Sequence, residues 1–159
     1  MTFLFTDIEG STSLWERAPR EMRVALGRHD VLLRTAFAKH GGYVFATGGD
    51  GFAVAFEAPL DAVAAAVDAQ RALRSEVWPG DAVLRVRMGL HSGTADERDG
   101  DYFGPTVNRA ARVMATAHGG QIVMTGTAAA RIEPTFDGGI VLEDAGMHRL
   151  KGLQRPEQI

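Results

Sequence analysis

Tyr43-Val-Phe-Ala46 and Phe52-Ala-Val-Ala-Phe56 are two short runs of strand-forming residues, separated only by Thr47-Gly-Gly-Asp-Gly51. So short a gap cannot hold a crossover connection, so the two strands must be antiparallel neighbours in a β-hairpin with a glycine-rich tip. Elsewhere the pattern alternates strand with helix, which on its own would favour a parallel sheet. The hairpin forbids that solution. A mixed sheet with helices packed on it follows, an α+β arrangement of the ferredoxin-like, palm-type kind.

The remaining elements can be placed around it. An apolar run, Phe3-Leu-Phe5, predicts an opening strand. Leu14, Trp15, Met22, Leu26, Leu32, Leu33 and Phe37 recur at mostly helical spacing, interrupted near Ala18-Pro19. They predict a short helix, a break at Pro19, and a longer helix stopped by Gly41-Gly42. Pro59 opens an alanine-rich helix to about Arg74. Val83 to Leu90 alternates apolar and basic residues, as a strand with one buried face does. Asp96 to Gly100 reads as a polar loop, Val107 to Ala117 as a helix, Gln121 to Met124 as a strand and Thr125 to Ala130 as a short helix. Ile140 to Leu142 and His148 to Leu150 are the last strand candidates.

With 159 residues, 45% of them hydrophobic, the chain fits one domain spanning 1–159. It has no cysteine, so disulfides and thiolate metal sites are excluded. A formal net charge of -3 gives no reason to expect a nucleic-acid partner. No apolar run reaches membrane-spanning length and no signal-type segment opens the chain, which points to a cytoplasmic protein without a membrane partner.

Chemistry concentrates at two turns. In Phe5-Thr-Asp-Ile-Glu-Gly-Ser-Thr12, Asp7 falls where a buried strand releases the chain into a turn. Gly10 lets backbone approach a ligand, and Ser11, Thr12 and Ser13 can cap a helix whose first N–H groups favour anions. A carboxylate beside such donors can hold a divalent cation against phosphate oxygens. Equally, the octapeptide suits a helix cap with a surface acid. Asp50, at the hairpin tip, supplies a second carboxylate if the opening strand lies beside the hairpin. Two cations would then relieve the repulsion between them and could serve an in-line phosphoryl displacement. The alternative for Asp50 is a turn residue tolerant of unusual backbone angles.

Four motifs in order carry a resemblance over essentially the whole chain: Phe5 to Thr12, Thr47-Gly-Gly-Asp-Gly-Phe52, Asp101-Tyr-Phe-Gly-Pro-Thr-Val-Asn-Arg-Ala-Ala-Arg112, and Leu150-Lys-Gly152. Together they resemble the class III adenylyl/guanylyl cyclase catalytic domain, and among its members the bacterial, actinobacterial type. The resemblance implies that Asp7 and Asp50 bind two Mg²⁺ or Mn²⁺ ions, with the Ile8 carbonyl as a further ligand and the backbone of Glu9, Gly10, Ser11 and Thr12 around the phosphates. It implies that Asn108 orients the ribose, that Arg112, on the same helix face, stabilises charge on the reacting phosphate, and that Lys151 contacts the terminal phosphates. Asp101 stands where the family reads the base, and an aspartate can accept from the exocyclic amine of adenine, which favours ATP. Ala46 departs from the pattern: adenylyl cyclases carry lysine there and guanylyl cyclases glutamate, and a methyl group makes neither contact. GTP is thereby left open, as is a degenerate, weakly active nucleotide-binding or dimerisation module. The resemblance further implies a head-to-tail homodimer, with the metal aspartates from one protomer and Asp101, Asn108, Arg112 and Lys151 from the other. Gly48-Gly-Asp-Gly-Phe52 also looks like a diguanylate cyclase signature, but Gly51 stands where that signature is acidic. His91, a lone histidine after a strand, reads as structural.

Overall fold

A computed structural model describes residues 1–132, 142–148, 150 and 157–159. Its main sheet has five strands: β1 (Thr2–Ile8), β2 (Tyr43–Gly48), β3 (Gly51–Phe56), β4 (Val86–Ser92) and β5, the three residues Ile122–Met124. The spatial order is β2-β3-β1-β4-β5, antiparallel at each contact except the last, where β4 and β5 run parallel. The sheet is therefore mixed, as the hairpin required, and its first four strands have the ferredoxin-like order.

Two long helices cover one face. α2 (Pro19–Lys39) follows a short α1 (Ser11–Arg17), and α3 (Pro59–Ser75) returns the chain from the hairpin. Alternation along β1 sends Leu4 and Ile8 into this layer, where they meet Val54, Phe56, Val86, Met88 and Leu90 of the neighbouring strands, all essentially buried. On the opposite face α4 (Pro105–Met114) lays Val107 and Ala110 against Phe3 and Ala55, with Phe5, Phe45 and Tyr102 at its margin. Asp7, in phase with Phe3 and Phe5, belongs to this second face.

Several boundaries differ from the sequence reading. Gly10, in the left-handed region at φ 67, is the N-cap of α1, and no hydroxyl caps it. The expected Ser11, Thr12 and Ser13 caps are replaced because those residues already lie inside the helix or its first turn. Residues 83–85 precede β4, and the strand runs on through His91 and Ser92. The polar stretch read as a loop is a hairpin of its own, Asp96–Arg98 paired with Asp101–Phe103. Its tip Asp99-Gly100 has both residues at positive φ, 51 and 78, the dihedral signature of a primed turn. α4 starts at Pro105 and stops at Met114, short of Ala117. Of the late strand candidates, Met147–His148 pairs with Glu157–Gln158, while Ile140, Val141 and Lys151 lie outside the described residues.

His91 takes the structural role expected of it. Its residue is 5% exposed, and Nδ1 lies 2.7 Å from Oγ1 of Thr125, the N-cap of the short helix Gly126–Ala129. Burial, followed by the charges of Arg109 and Arg131, lowers its pKa to about 4. An imidazole whose folded pKa lies below its unfolded value stabilises the fold above about pH 6.5, and that contribution is lost as the pH falls towards 4. Between pH 7 and pH 5 its share amounts to roughly 2 kcal/mol. Urea melts at the two pH values should show this loss, and His91→Asn should reduce it.

Candidate active site

The site is built where β1 ends beside the tip of the β2–β3 hairpin. Register pairs Thr6 with Phe52, and the Thr6 hydroxyl accepts from the Phe52 amide at 3.0 Å. One residue on, Gly51 faces Asp7. Its backbone is so close to β1 that a Cβ there would stand 2.2 Å from the Thr6 carbonyl oxygen. No other residue type fits without moving the hairpin, and this contact brings Asp50 to the end of β1. The backbone of Asp50 is thus held close to the end of β1, where Asp7 lies.

Across β1 on the other side, Asp7 pairs in register with Arg87, and Arg87 Nη2 donates to Asp7 Oδ2. Arg87 was not among the sequence candidates. Its signal was present in the alternation Arg85-Val-Arg87-Met, which puts a cation on the same face as Asp7 once β4 lies beside β1.

Asp50 Oδ2 is buried with no hydrogen-bond partner among the described residues, as is Arg87 Nε. A buried carboxylate oxygen without a donor is costly, and a divalent cation is one group that satisfies it. Among the described residues no cluster of three or more acidic or histidine side chains gathers to hold a metal. Two carboxylates and a backbone carbonyl such as that of Ile8 suit a hard cation that keeps water and phosphate as its other ligands.

The turn after β1 is braced from two sides. The Glu9 amide donates to the Arg85 carbonyl at 2.8 Å, and Glu9 Oε2 accepts from the Gly119 amide in the turn after α4. Gly10, Ser11 and Thr12 follow at the entrance to α1, with Gly10 and Thr12 exposed and Ser11 half-buried.

The other candidates among the described residues lie on α4, on β2 and on the small hairpin. Asn108 is exposed and Arg112 half-buried, one turn apart on α4. Among the described residues no hydrogen bond or ion pair joins either of them to Asp7 or Asp50. Asp101 opens the second strand of the small hairpin, and its Oδ1 accepts from the Tyr102 amide at 2.8 Å. That hairpin rests on β2: Tyr102 packs edge-on against Phe45 at 5.2 Å, and the Tyr43 hydroxyl donates to the Gly100 carbonyl at 2.9 Å. Ala46 follows Phe45 at a register shift in β2, exposed and opposite Ala53. Ala46 and Asp101 therefore come from adjoining strands. Lys151 is outside the described residues. A cavity of about 830 Å³ between α3 and β5 is not lined by Asp7, Asp50, Asn108 or Arg112.

Known proteins resemble this chain in sequence and fold. Residues 1–159 match the family model described as the adenylate and guanylate cyclase catalytic domain. An uncharacterized protein of Mycobacterium tuberculosis is 38% identical over 161 residues, covering 100% of this chain and 54% of its own length. The chain thus spans about half of that relative. Adenylate cyclase of Schizosaccharomyces pombe is 36% identical over 150 residues, covering 79% of this chain and 9% of the yeast protein. A Trypanosoma brucei adenylate cyclase, solved in its monomeric state, superposes with a TM-score of 0.94 at 29% identity, over 99% of this chain and 86% of that one. The adenylyl cyclase CyaB of P. aeruginosa, at 23% identity, shares the fold with a TM-score of 0.79, over 99% of this chain and 90% of that one. With this match along the full sequence, the chain belongs to the class III adenylate and guanylate cyclase catalytic domain family.

Proposed function

We propose that the chain is a nucleotidyl cyclase that converts ATP to 3′,5′-cyclic AMP and pyrophosphate, at a site completed by a second copy arranged head to tail. The observation that carries this reading is the close seating of Gly51 on the Thr6 carbonyl, which holds the backbone of Asp50 near the end of β1 that bears Asp7. Two divalent ions, Mg²⁺ or Mn²⁺, when bound there would lower the pKa of the ribose 3′-hydroxyl and take charge from the triphosphate.

The chain's own groups then have separable tasks. Asp7, Asp50 and the Ile8 carbonyl hold the cations. Arg87, already beside Asp7, is a second cation able to face phosphate oxygens, and it leaves Asp7 Oδ1 for a metal. The backbone from Glu9 to Thr12 lies along the phosphates, held in place by the braces on Glu9. Asn108 from the partner copy orients the ribose so that its 3′-oxygen lies in line with the α-phosphorus, and Arg112 and Lys151 take the charge that develops on the phosphates. No protein nucleophile is required. Among the described residues of one copy neither Asn108 nor Arg112 is bonded to Asp7 or Asp50, which leaves both side chains to serve a partner's site.

Base choice rests on Asp101, whose Oδ2 is left to accept from a purine amine while Oδ1 holds the Tyr102 amide. A carboxylate can accept from adenine N6 and from guanine N1 and N2 alike. Ala46 offers no donor that would discriminate between them, so ATP turnover is accompanied by GTP turnover. Incubating the protein with each nucleotide and Mn²⁺ or Mg²⁺, and identifying products by chromatography, tests the assignment. Ala46→Lys should raise the ATP over GTP preference by roughly tenfold or more, the scale of one added polar contact in a base site. An unchanged ratio would remove Ala46 from the base site. The second reading is a degenerate module that binds nucleotide without turnover, favoured by Ala46 and by the engagement of Asp7 with Arg87. It predicts nucleotide binding with no cyclic product under any metal.

A further inference from the structure

His29, on α2, lies wholly inside the core, its side chain 0% exposed. Its Nδ1 is 2.8 Å from Oδ1 of Asp30. An ionised carboxylate can only accept, so Nδ1 carries a proton. With that proton on Nδ1, the neutral form of the ring carries none on Nε2. Nε2 is then a lone-pair acceptor, and it is buried with no partner among the described residues. The ring stacks on Phe52 at 5.7 Å and 20°, and Phe52 lies two residues beyond Asp50 in the same hairpin. The charge of Asp50 is felt at the imidazole. Asp50 Oδ2 is the other buried acceptor in this region without a partner.

Two acceptors cannot bond to each other. One group with two protons can satisfy both. Water has two such protons, and buried waters serve groups of this kind. We propose that His29 positions Asp50: one water molecule donates to Nε2 of His29 and to Oδ2 of Asp50, fixing the carboxylate so that Oδ1 faces the cation. The chain Asp30–His29–water–Asp50 sets the imidazole tautomer at one end and a ligand rotamer at the other, as outer groups do around metals. This inference rests on the reading that Asp50 holds a cation.

The test is Mn²⁺ binding to the full chain without nucleotide, followed by the electron paramagnetic resonance of the free ion. His29→Phe keeps the ring on Phe52 and removes the acceptor; His29→Gln places an amide oxygen near the position of Nε2. H29F is expected to bind Mn²⁺ roughly tenfold more weakly than the parent, and H29Q to recover most of the loss. Parent-like affinity in H29F, or equal weakness in H29Q, overturns the proposal. In the parent itself, ¹⁵N spectra of His29 should show a protonated Nδ1 and a bare Nε2 whose resonance moves as Mg²⁺ is added. A protonated Nε2 overturns the proposal even if H29F does not fold. A parent that forms cyclic product while H29F binds metal equally well defeats only this inference; a parent that neither binds Mn²⁺ nor turns over defeats the cyclase reading as well.

Discussion

Asp50→Ala should abolish metal-dependent cyclic nucleotide formation while leaving the protein folded. A cation that stabilises a transferring phosphoryl group contributes several kcal/mol, and a loss of about 4 kcal/mol is roughly a thousandfold in rate. Asp7→Ala should do the same for a related reason, with one difference. Asp7 is ion-paired to Arg87, and their side chains are 26% and 28% exposed. Removing one member of this half-buried pair costs on the order of 1 kcal/mol, a shift of about 2–4 °C in the thermal midpoint, small beside the loss of rate. The signature is therefore a large loss of rate with little loss of stability, in both variants, read from a product assay beside a thermal melt. Unchanged turnover in either variant would sink the assignment.

Mixing two dead variants should restore activity. If Asp50 works in one copy and Arg112 comes from the other, a D50A homodimer lacks a carboxylate in both sites, and an R112A homodimer lacks a guanidinium in both. A heterodimer of the two concentrates both lesions in one site and leaves the other intact. Random reassortment of equal amounts makes half of the dimers mixed, each with one of two sites working, so about a quarter of parental activity should return. A site contained within one copy predicts no recovery at all. The contrast is between a quarter and nothing, and it needs only the two proteins and a co-refolding or dilution step.

How far the sequence reaches can be judged residue by residue. The 43–56 hairpin was legible because its spacing leaves the chain no alternative, and with it came the mixed sheet and the placing of the hairpin tip beside the end of β1. Asn108 and Arg112 were legible because a spacing of four fixes a shared helix face. The hairpin from Asp96 to Phe103 was hidden, since its strands are three residues each and its first is polar throughout; what holds it is Tyr102 against Phe45, a contact distant in sequence. The helix cap was misassigned because Gly10 and the serine after it are both acceptable there, and the choice depends on how Glu9 is tethered to Arg85 and Gly119. Arg87 and His29 share a cause: each acquires its neighbour only through tertiary packing, one across a strand pair and one across a helix and a sheet.

The approach of the hairpin tip to the end of β1 is set by the seating of Gly51 on the Thr6 carbonyl. It is a dimension of the main chain, tied to the ladder of β1 and β3. Warming that loosens side chains leaves such a spacing alone, and it gives way only when the sheet does. Thermal inactivation and unfolding should thus share one midpoint, with catalytic geometry persisting until the cooperative melt of the protein.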